Sequence, residues 1–359
     1  MKFIITAGGQ GKKLWPYSRI SSPKQFQKLI GDKSLFQINV ESLLKGYSPS
    51  DIFISTKKQY LKIASLQAPQ ISKKNFIIEP DIQKNRGPAE GLAFLKLSIL
   101  HPNEPFLIVQ SDDLRVPNSA FLKMIGTMEK LVKRDRKYIT GGIKALTPVM
   151  GNDYLEIGDR IETKSNIEIY KIKKFLGRSS DYDKTKKIIE DFHAVIHSNH
   201  SCWYPELMLE AYKKYRLDWY KTLMKIKEVI GRKNEGDEHE KIYSGMEKGA
   251  TEEVTKHIMH EGYIALLPFK WTDIGTWGSY YDFFARDGEV CGGGNVVSLN
   301  SRKSLVKIKD PKKLVVLYNI DNLIVIDSGD ALLVLPREDE GKVNTIVDEL
   351  EKKNLKDLI

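Results

Sequence analysis

The first strongly apolar stretch, Phe3-Ile4-Ile5-Thr6, runs directly into Ala7-Gly8-Gly9-Gln10-Gly11-Lys12-Lys13-Leu14. Three glycines and two adjacent lysines at the mouth of a strand suit phosphate chemistry. The glycines let backbone N–H groups approach phosphate oxygens, and the ammonium groups neutralise their charge. A merely tight turn is the competing reading. Two familiar phosphate loops are excluded: a Walker A needs Ser or Thr after its Gly-Lys, where Lys13 stands, and a dinucleotide fingerprint counted from Gly9 needs glycine where Leu14 stands. A second candidate is Asp112, in Ser111-Asp112-Asp113 at the end of the apolar run Phe106 to Gln110. An acid at the C-terminal end of a buried parallel strand lies where open α/β sheets bind ligands, and a carboxylate is the hard donor that magnesium takes. A turn or helix N-cap aspartate is the alternative. His193, His197 and His200, with Cys202 beyond, are spaced closely enough for a zinc site, but a strand over Ala194-Val195-Ile196 would send His193 and His197 to one face and His200 to the other.

The elements that must position these residues read as α/β. Strands are expected at Lys2 to Ala7, Asp51 to Ser55, Asn75 to Glu79, Phe106 to Gln110 and Tyr138 to Ile143, with helices at Ser34 to Leu44, Pro88 to Ile99 and Ala120 to Val132. This alternation predicts a mostly parallel sheet flanked by helices. After Tyr280 the texture changes. The run Cys291-Gly292-Gly293-Gly294 marks a boundary, and short strands follow at Asn295 to Leu299, Ser304 to Ile308, Leu314 to Tyr318, Leu323 to Asp327 and Ala331 to Leu335, then a helix at Lys342 to Lys353. The expected domains are 1–285 for catalysis and 286–359 for a β module, sandwich or solenoid-like, with a terminal helix.

Composition narrows the classes. With 41% hydrophobic and 29% charged residues among 359, the chain reads as an ordinary soluble protein. No apolar run approaches the roughly 20 residues of a membrane span, and the strand-like start differs from a signal sequence, so a cytoplasmic protein without membrane partners is expected. The two cysteines, Cys202 and Cys291, form no CxxC arrangement and suit a reducing compartment. Lys plus Arg (57) exceeds Asp plus Glu (47) by ten, which favours anionic partners such as nucleotides or sugar phosphates. Nucleic acid is not among the expected partners, since neither an RNA-binding aromatic signature nor a helix-turn-helix pattern accompanies the charge.

The continuation of the first loop is more specific: Leu14-Trp15-Pro16-Tyr17-Ser18-Arg19, then Ser22-Pro23-Lys24-Gln25-Phe26. These segments resemble the mannose-1-phosphate guanylyltransferase family, whose loop has the form AGGxGTRLWPxSR followed by PKQF. Glu79-Pro80 before Lys84-Asn85-Arg86-Gly87-Pro88-Ala89 resembles that family's Glu-Pro and Arg-Asn-Thr-Ala-Pro-Ala segment. Trp271-Thr272-Asp273-Ile274-Gly275-Thr276-Trp277 resembles its Asp-x-Gly-Ser-Trp segment. The C-terminal strands resemble the family's small left-handed β-helix.

The resemblance implies a Rossmann-like nucleotidyltransferase domain and the reaction of GTP with mannose-1-phosphate to give GDP-mannose and pyrophosphate. It implies Mg2+ on Asp112 and Asp273, with Asp273 also at the substrate. Ala7, Gly8, Gly9, Gly11 and Lys12 would cradle the nucleotide, and Glu79, Asn85 and Pro88 would line the base pocket, an ordinary helix start before Pro88 being the structural alternative. Lys12, Lys13 and Arg19 would steady the triphosphate and Lys24 would hold the sugar phosphate. Gly151, Arg178 and His197 would stand next to the sugar, and a homodimer is expected through the β module. Three departures stand out. Lys12-Lys13 replaces Thr-Arg, Asp113 replaces a histidine, and Gly177 replaces the glutamate of Phe-x-Glu-Lys-Pro, with Arg178 in the lysine position. Lysine supplies charge without the bidentate fork of arginine. The same chemistry on another sugar phosphate or nucleotide, or a weakly active nucleotide-sugar-binding regulator, are the alternatives.

Overall fold

A computed structural model describes residues 1–286 and 288–359. The chain gathers into two compact units. The first comprises Met1–Gly8, Val40–Gln110 and Arg115–Trp271; the second comprises Gly9–Asn39, Ser111–Leu114 and Thr272–Ile359. These lines differ from the expected division at 285/286: the glycine-lysine loop, the Ser111–Leu114 turn and the segment after Thr272 group with the C-terminal strands.

The first unit is a ten-stranded sheet. Its strands are β1 (Lys2–Thr6), β2 (Ile52–Lys57), β3 (Phe76–Glu79), β4 (Phe106–Gln110), β5 (Ile139–Lys144), β6 (Asp153–Lys164), β7 (Ile167–Arg178), β8 (Ala194–His197), β9 (Cys202–Trp203) and β10 (Tyr263–Leu266), in the spatial order β8-β6-β7-β10-β5-β9-β4-β1-β2-β3. The block β4-β1-β2-β3 is parallel. Its strands are apolar on successive residues because helices cover both faces, and Phe3, Ile4, Ile5, Phe53 and Ile54 are fully or almost fully buried. The expectation of a mostly parallel sheet holds for this block alone. Beyond it only β5 and β10 pair in parallel, and the pairings of β6, β7, β8 and β9 are antiparallel. The hairpin of β6 and β7 turns at Ser165 and Asn166, whose φ angles of 52° and 64° lie in the left-handed region, as a two-residue turn matched to the right-handed twist of its strands requires.

The helices α1 (Leu35–Leu44), α2 (Arg86–Leu100) and α3 (Asn118–Asp135) lie where apolar residues recur every three or four positions. Within the first unit, α2 packs with α4 (Pro205–Tyr215), α5 (Leu217–Val229) and α6 (Glu235–Ser244) around Phe94, Leu95, Tyr212, Trp219 and Leu223. Truncating a buried aromatic such as Trp219 to alanine costs about 3–5 kcal/mol, so this cluster fixes the orientation of α2 and of the residues at its start.

The second unit carries the β module. Strands β11 (Cys291–Gly293), β13 (Leu305–Ile308) and β15 (Leu323–Asp327) stack in parallel as one ladder; β12 (Asn295–Leu299) and β14 (Leu314–Tyr318) stack as another. The chain passes alternately from ladder to ladder, which is the winding of a β-helix, until β16 (Leu332–Pro336) turns back antiparallel to β15. Of the two architectures left open by the sequence, the solenoid is present. Leu305, Ile324 and Ile326 pack with Trp15, Ile274 and Trp277, and with Val343 and Val347 of helix α8 (Val343–Lys352). Trp277, in α7 (Trp277–Phe284), is fully buried and donates from its indole N–H to the Trp15 carbonyl at 2.8 Å.

Candidate active site

Three segments far apart in the chain meet in the second unit. Lys24 opens a short 3-10 turn, Lys24–Phe26, pinned to the glycine loop by Gln25, whose side-chain amide donates to the Gly9 carbonyl at 2.9 Å. The turn bearing Asp112 and Asp113 is held by Asn39, whose amide donates to the carbonyls of Ser111 (3.2 Å) and Asp113 (3.0 Å). Asp273 precedes α7, which starts with a capping box between Thr276 and Ser279. The Ile274 N–H donates to the Asp112 carbonyl at 3.1 Å, joining the two acid-bearing segments directly.

The ligand atoms of Asp112, Asp113 and Asp273 lie within 4.8 Å of one another. Lys24 reaches into the same place, with its Nζ 2.5 Å from Asp112 Oδ2, 3.3 Å from Asp273 Oδ1 and 3.3 Å from the Ile274 carbonyl. Desolvation works against the charge on Lys24, but the two carboxylates prevail and raise the ammonium above its ordinary range. Asp273 moves upward as well, through desolvation and then the Asp112 charge beside it. Three close carboxylates partly neutralised by one ammonium are a hard-oxygen set that fits a magnesium ion, with water completing its shell. The expected pair Asp112 and Asp273 is thus brought together, and Asp113, read in the sequence as a departure, joins them. At Gly11, φ is 65° and ψ is 31°. Lys12 and Lys13 begin the next 3-10 turn; Lys13 is exposed, Lys12 half-buried, and neither makes an ion pair among the described residues. Both are available to an anion.

The first unit holds the other expected residues. Ala7 and Gly8 close β1, where the Ala7 N–H donates to the Ser55 carbonyl at 2.7 Å. A Cβ on Gly8 would sit 3.2 Å from Glu79 Oε2. Glu79 is buried and accepts from the Tyr243 hydroxyl at 2.7 Å; desolvation pushes its carboxyl up to about 7 against the pull of Tyr243 and Lys57. Gly151 is an exposed turn residue whose N–H donates to the Ser179 carbonyl at 2.9 Å. Arg178 grips Asp153 through both Nε (3.0 Å) and Nη2 (2.5 Å).

Residues 2–162 match the family model described as nucleotidyl transferase, and residues 294–350 match that of the MannoseP isomerase/GMP-like beta-helix domain. The N-terminal part of the chain is thus similar to nucleotidyl transferases, and its C-terminal part is similar to the MannoseP isomerase/GMP-like beta-helix domain. It is 25% identical over 305 residues to a mannose-1-phosphate guanylyltransferase of Escherichia coli, covering 82% of this chain and 63% of that protein. It is 24% identical over 309 residues to the alginate biosynthesis protein AlgA of Pseudomonas aeruginosa, covering 84% of this chain and 63% of that protein. The chain therefore spans less than two thirds of the length of these relatives. In fold it is similar to a crystal structure described as mannose-1-phosphate geranyltransferase from Thermus thermophilus, with a TM-score of 0.85 at 21% identity over 98% of this chain and 99% of that one.

Within this chain several residues stand elsewhere than expected. Arg19 donates through Nε to the Pro16 carbonyl (2.9 Å) and through Nη2 to Ser328 (3.3 Å) and Asp330 (3.0 Å), and its Nη1 is buried without a partner. A guanidinium so engaged braces the loop against the β module and is not presented to a triphosphate. Pro88 is buried in the first turn of α2, which makes it a helix-start residue. Asn85, at φ 66°, precedes that helix with an exposed side chain that makes no cap. His197 is buried, with Nε2 2.8 Å from Thr140 Oγ1, and burial lowers its ring to about 4, so the ring is neutral. The histidine cluster does not assemble: the Arg115 Nε–H donates to His200 Nε2 at 2.7 Å, and among the described residues the grouping of metal-ligating side chains is the aspartate trio. Tyr243 and Arg86, missed in the sequence, prove to be partners of Glu79 and of Glu90 and Glu252 respectively.

Proposed function

We propose that this chain is a magnesium-dependent sugar-1-phosphate nucleotidyltransferase that converts GTP and mannose-1-phosphate to GDP-mannose and pyrophosphate. The observation that carries the reading is the convergence of Lys24 on Asp112 and Asp273 beside a glycine loop that presents Lys12 and Lys13. In the reaction a phosphate oxygen of the sugar phosphate attacks the α-phosphorus of GTP. The new P–O bond forms as the bond to the oxygen bridging the α- and β-phosphorus breaks, and pyrophosphate leaves with that electron pair. Asp112, Asp273 and Asp113 would hold Mg2+, which when bound neutralises phosphate oxygens and keeps them in line. Lys12 and Lys13 steady the triphosphate, and Lys24 holds the sugar phosphate. Glu79, with Ala7 and Gly8, serves the nucleotide. No side-chain nucleophile is required, so rate comes from positioning and charge.

The same chemistry on another sugar phosphate is a second reading, and Gly177 favours it. Its φ of 77° lies in the left-handed region, so this position offers no carboxylate and would strain one. A cytoplasmic homodimer belongs to the proposal too. The two free cysteines, Cys202 and Cys291, suit a reducing compartment, and the apolar row Val297, Leu299, Leu314, Val316 and Tyr318 is exposed on β12 and β14. Pyrophosphate release with Mg2+, a panel of nucleoside triphosphates and a panel of sugar-1-phosphates tests the reaction. Release with GTP and mannose-1-phosphate that disappears in Asp112→Ala supports the first reading. Release with another sugar supports the second, and none with any pair refutes both.

A further inference from the structure

We propose that Lys307, on the β module, is the positioning residue for Lys24: its ammonium clamps the carbonyl of Leu29 and so fixes the turn from which Lys24 reaches Asp112 and Asp273. The inference rests on the nucleotidyltransferase reading for its catalytic meaning. No motif points to Lys307.

Its place in the β-helix is anomalous. On β13, Lys307 stands on the same face as Leu305, which packs with Trp15 and Trp277. Its ladder neighbours are Gly293 on β11 and Ile326 on β15, and Ile326 is fully buried. A lysine in a column that otherwise holds a glycine and a core isoleucine loses hydration, and burial pushes its ammonium below the ordinary lysine range. No carboxylate among the described residues offsets that loss.

The contacts of the ammonium account for its being there. Lys307 Nζ donates to the Leu29 carbonyl at 3.1 Å and lies 5.4 Å from the ring centroids of both Tyr17 and Tyr280. Such cation–π contacts strengthen where water is excluded. The Tyr280 hydroxyl donates to the same Leu29 carbonyl, also at 3.1 Å. Tyr17 belongs to the loop that follows Lys13, Leu29 to the segment that follows Lys24, and Tyr280 to α7, which follows Asp273. One ammonium thus ties together the three segments that supply the site with its cations and its last carboxylate.

The stretch between Leu29 and Lys24 transmits the restraint. The Leu29 N–H donates to the Gln27 carbonyl at 2.9 Å, and the Gln27 N–H donates to the Lys24 carbonyl at 3.1 Å. The Gln27 side-chain amide donates in turn to the Ser22 carbonyl at 2.6 Å. A segment bonded in this way moves as a unit, so holding the Leu29 carbonyl holds the backbone of Lys24. A reacting group displaced by about 1 Å can lose on the order of 100-fold in rate, which is why a distant clamp matters to the chemistry.

The test reads the place of Lys24 directly. It compares wild type with Lys307→Met, which keeps the aliphatic stem and removes the ammonium, and with Tyr280→Phe, which keeps the ring and removes the second donor to Leu29. Each protein is treated with an amine-acylating reagent without metal or nucleotide, and the labelling of individual lysines is followed by peptide mass spectrometry, with thermal unfolding recorded alongside. Lys24 is expected to label about tenfold faster in Lys307→Met than in wild type, and about threefold faster in Tyr280→Phe. Lys2, whose side chain in the first unit is 10% exposed against 12% for Lys24, should label at an unchanged rate. Tyr280→Phe carries the test where Lys307→Met does not fold. In turnover, kcat/KM for mannose-1-phosphate should fall about tenfold in Lys307→Met, and adding that substitution to Lys24→Met should cost nothing further, because both act through the Lys24 ammonium. An unchanged labelling rate at Lys24, an equal rise at Lys2, or additive kinetic losses overturns the inference. Faster labelling of Lys24 in a protein whose wild type turns over no pair of substrates refutes the catalytic reading and leaves the clamp standing.

Discussion

A Cβ on Gly11 would lie 2.5 Å from Cγ of Lys24 and 2.8 Å from its Cβ. The glycine loop is therefore shaped to admit the lysine that reaches Asp112 and Asp273. Gly11 also has φ 65°, so a side chain there is opposed twice, by the backbone and by the neighbour. Gly11→Ala is expected to destabilise the protein by about 1–3 kcal/mol and to lower kcat more than it raises KM for GTP. Chemical denaturation and steady-state kinetics check the two effects separately.

Lys24 neutralises carboxylates that a divalent cation would otherwise have to itself. In Lys24→Met, Asp112 and Asp273 lose that partner, so the metal-free protein should lose about 1–3 kcal/mol of stability. Added Mg2+ should then raise Tm more in the variant than in wild type, because binding to the folded state alone stabilises it. Turnover should fall on the order of 100-fold. An equal Mg2+ shift in both proteins would contradict the proposed sharing of the site.

Metal removal gives a third expectation. Chelation with EDTA should abolish pyrophosphate release by wild type, and excess Mg2+ should restore it. Asp112→Asn and Asp273→Asn should need far more Mg2+ for half-maximal activity, and titration of activity against the ion measures this directly.

Two buried groups give opposite pH dependences. Burial lowers His197 to about 4. The unfolded chain, with an ordinary imidazole, takes up more protons as pH falls through the window from about 6.5 to 4, and folding is weakened there by up to about 3 kcal/mol. In His197→Asn that part of the slope should vanish. Desolvation raises Glu79 to about 7, with Tyr243 and Lys57 pulling the other way. The folded carboxyl therefore keeps its proton while the unfolded one loses it, and stability falls as pH rises from about 4.5 to 7. Glu79→Gln should match wild type near pH 4 and exceed it at pH 8 by up to about 3 kcal/mol, as denaturant titrations at each pH would reveal.

What could be read from the sequence follows from the range of each signal. The parallel block was legible because its strands are buried on both faces and appear as short apolar runs, as in Phe106 to Gln110. Strands β6 and β7 were not, because they carry Asp159, Arg160, Glu162 and Lys171 among their apolar residues and register shifts break the spacing of buried positions such as Ile167, Ile169 and Ile172. Lys24, Asp112 and Asp273 were found because each lies in a motif. Arg19 lies in one as well, but its partners Ser328 and Asp330 come from the β module, and no local pattern encodes that bond. Arg86 and Glu252 are 166 positions apart, so their ion pair exists only in the fold.

The order in which the chain emerges from a ribosome adds a consequence. Lys24 and Asp273 are 249 positions apart, and the second unit draws on the start, the middle and the end of the chain. Its N-terminal stretch, Gly9–Asn39, must wait through most of synthesis for the partners that complete its core, whereas β1, β2, β3 and β4 can pair once the polypeptide has passed Gln110. A nascent chain halted before Asp273 would hold a formed parallel block with the lysine and the first aspartates still unassembled. Competence to act on phosphates would thus arrive as one of the last events of biogenesis.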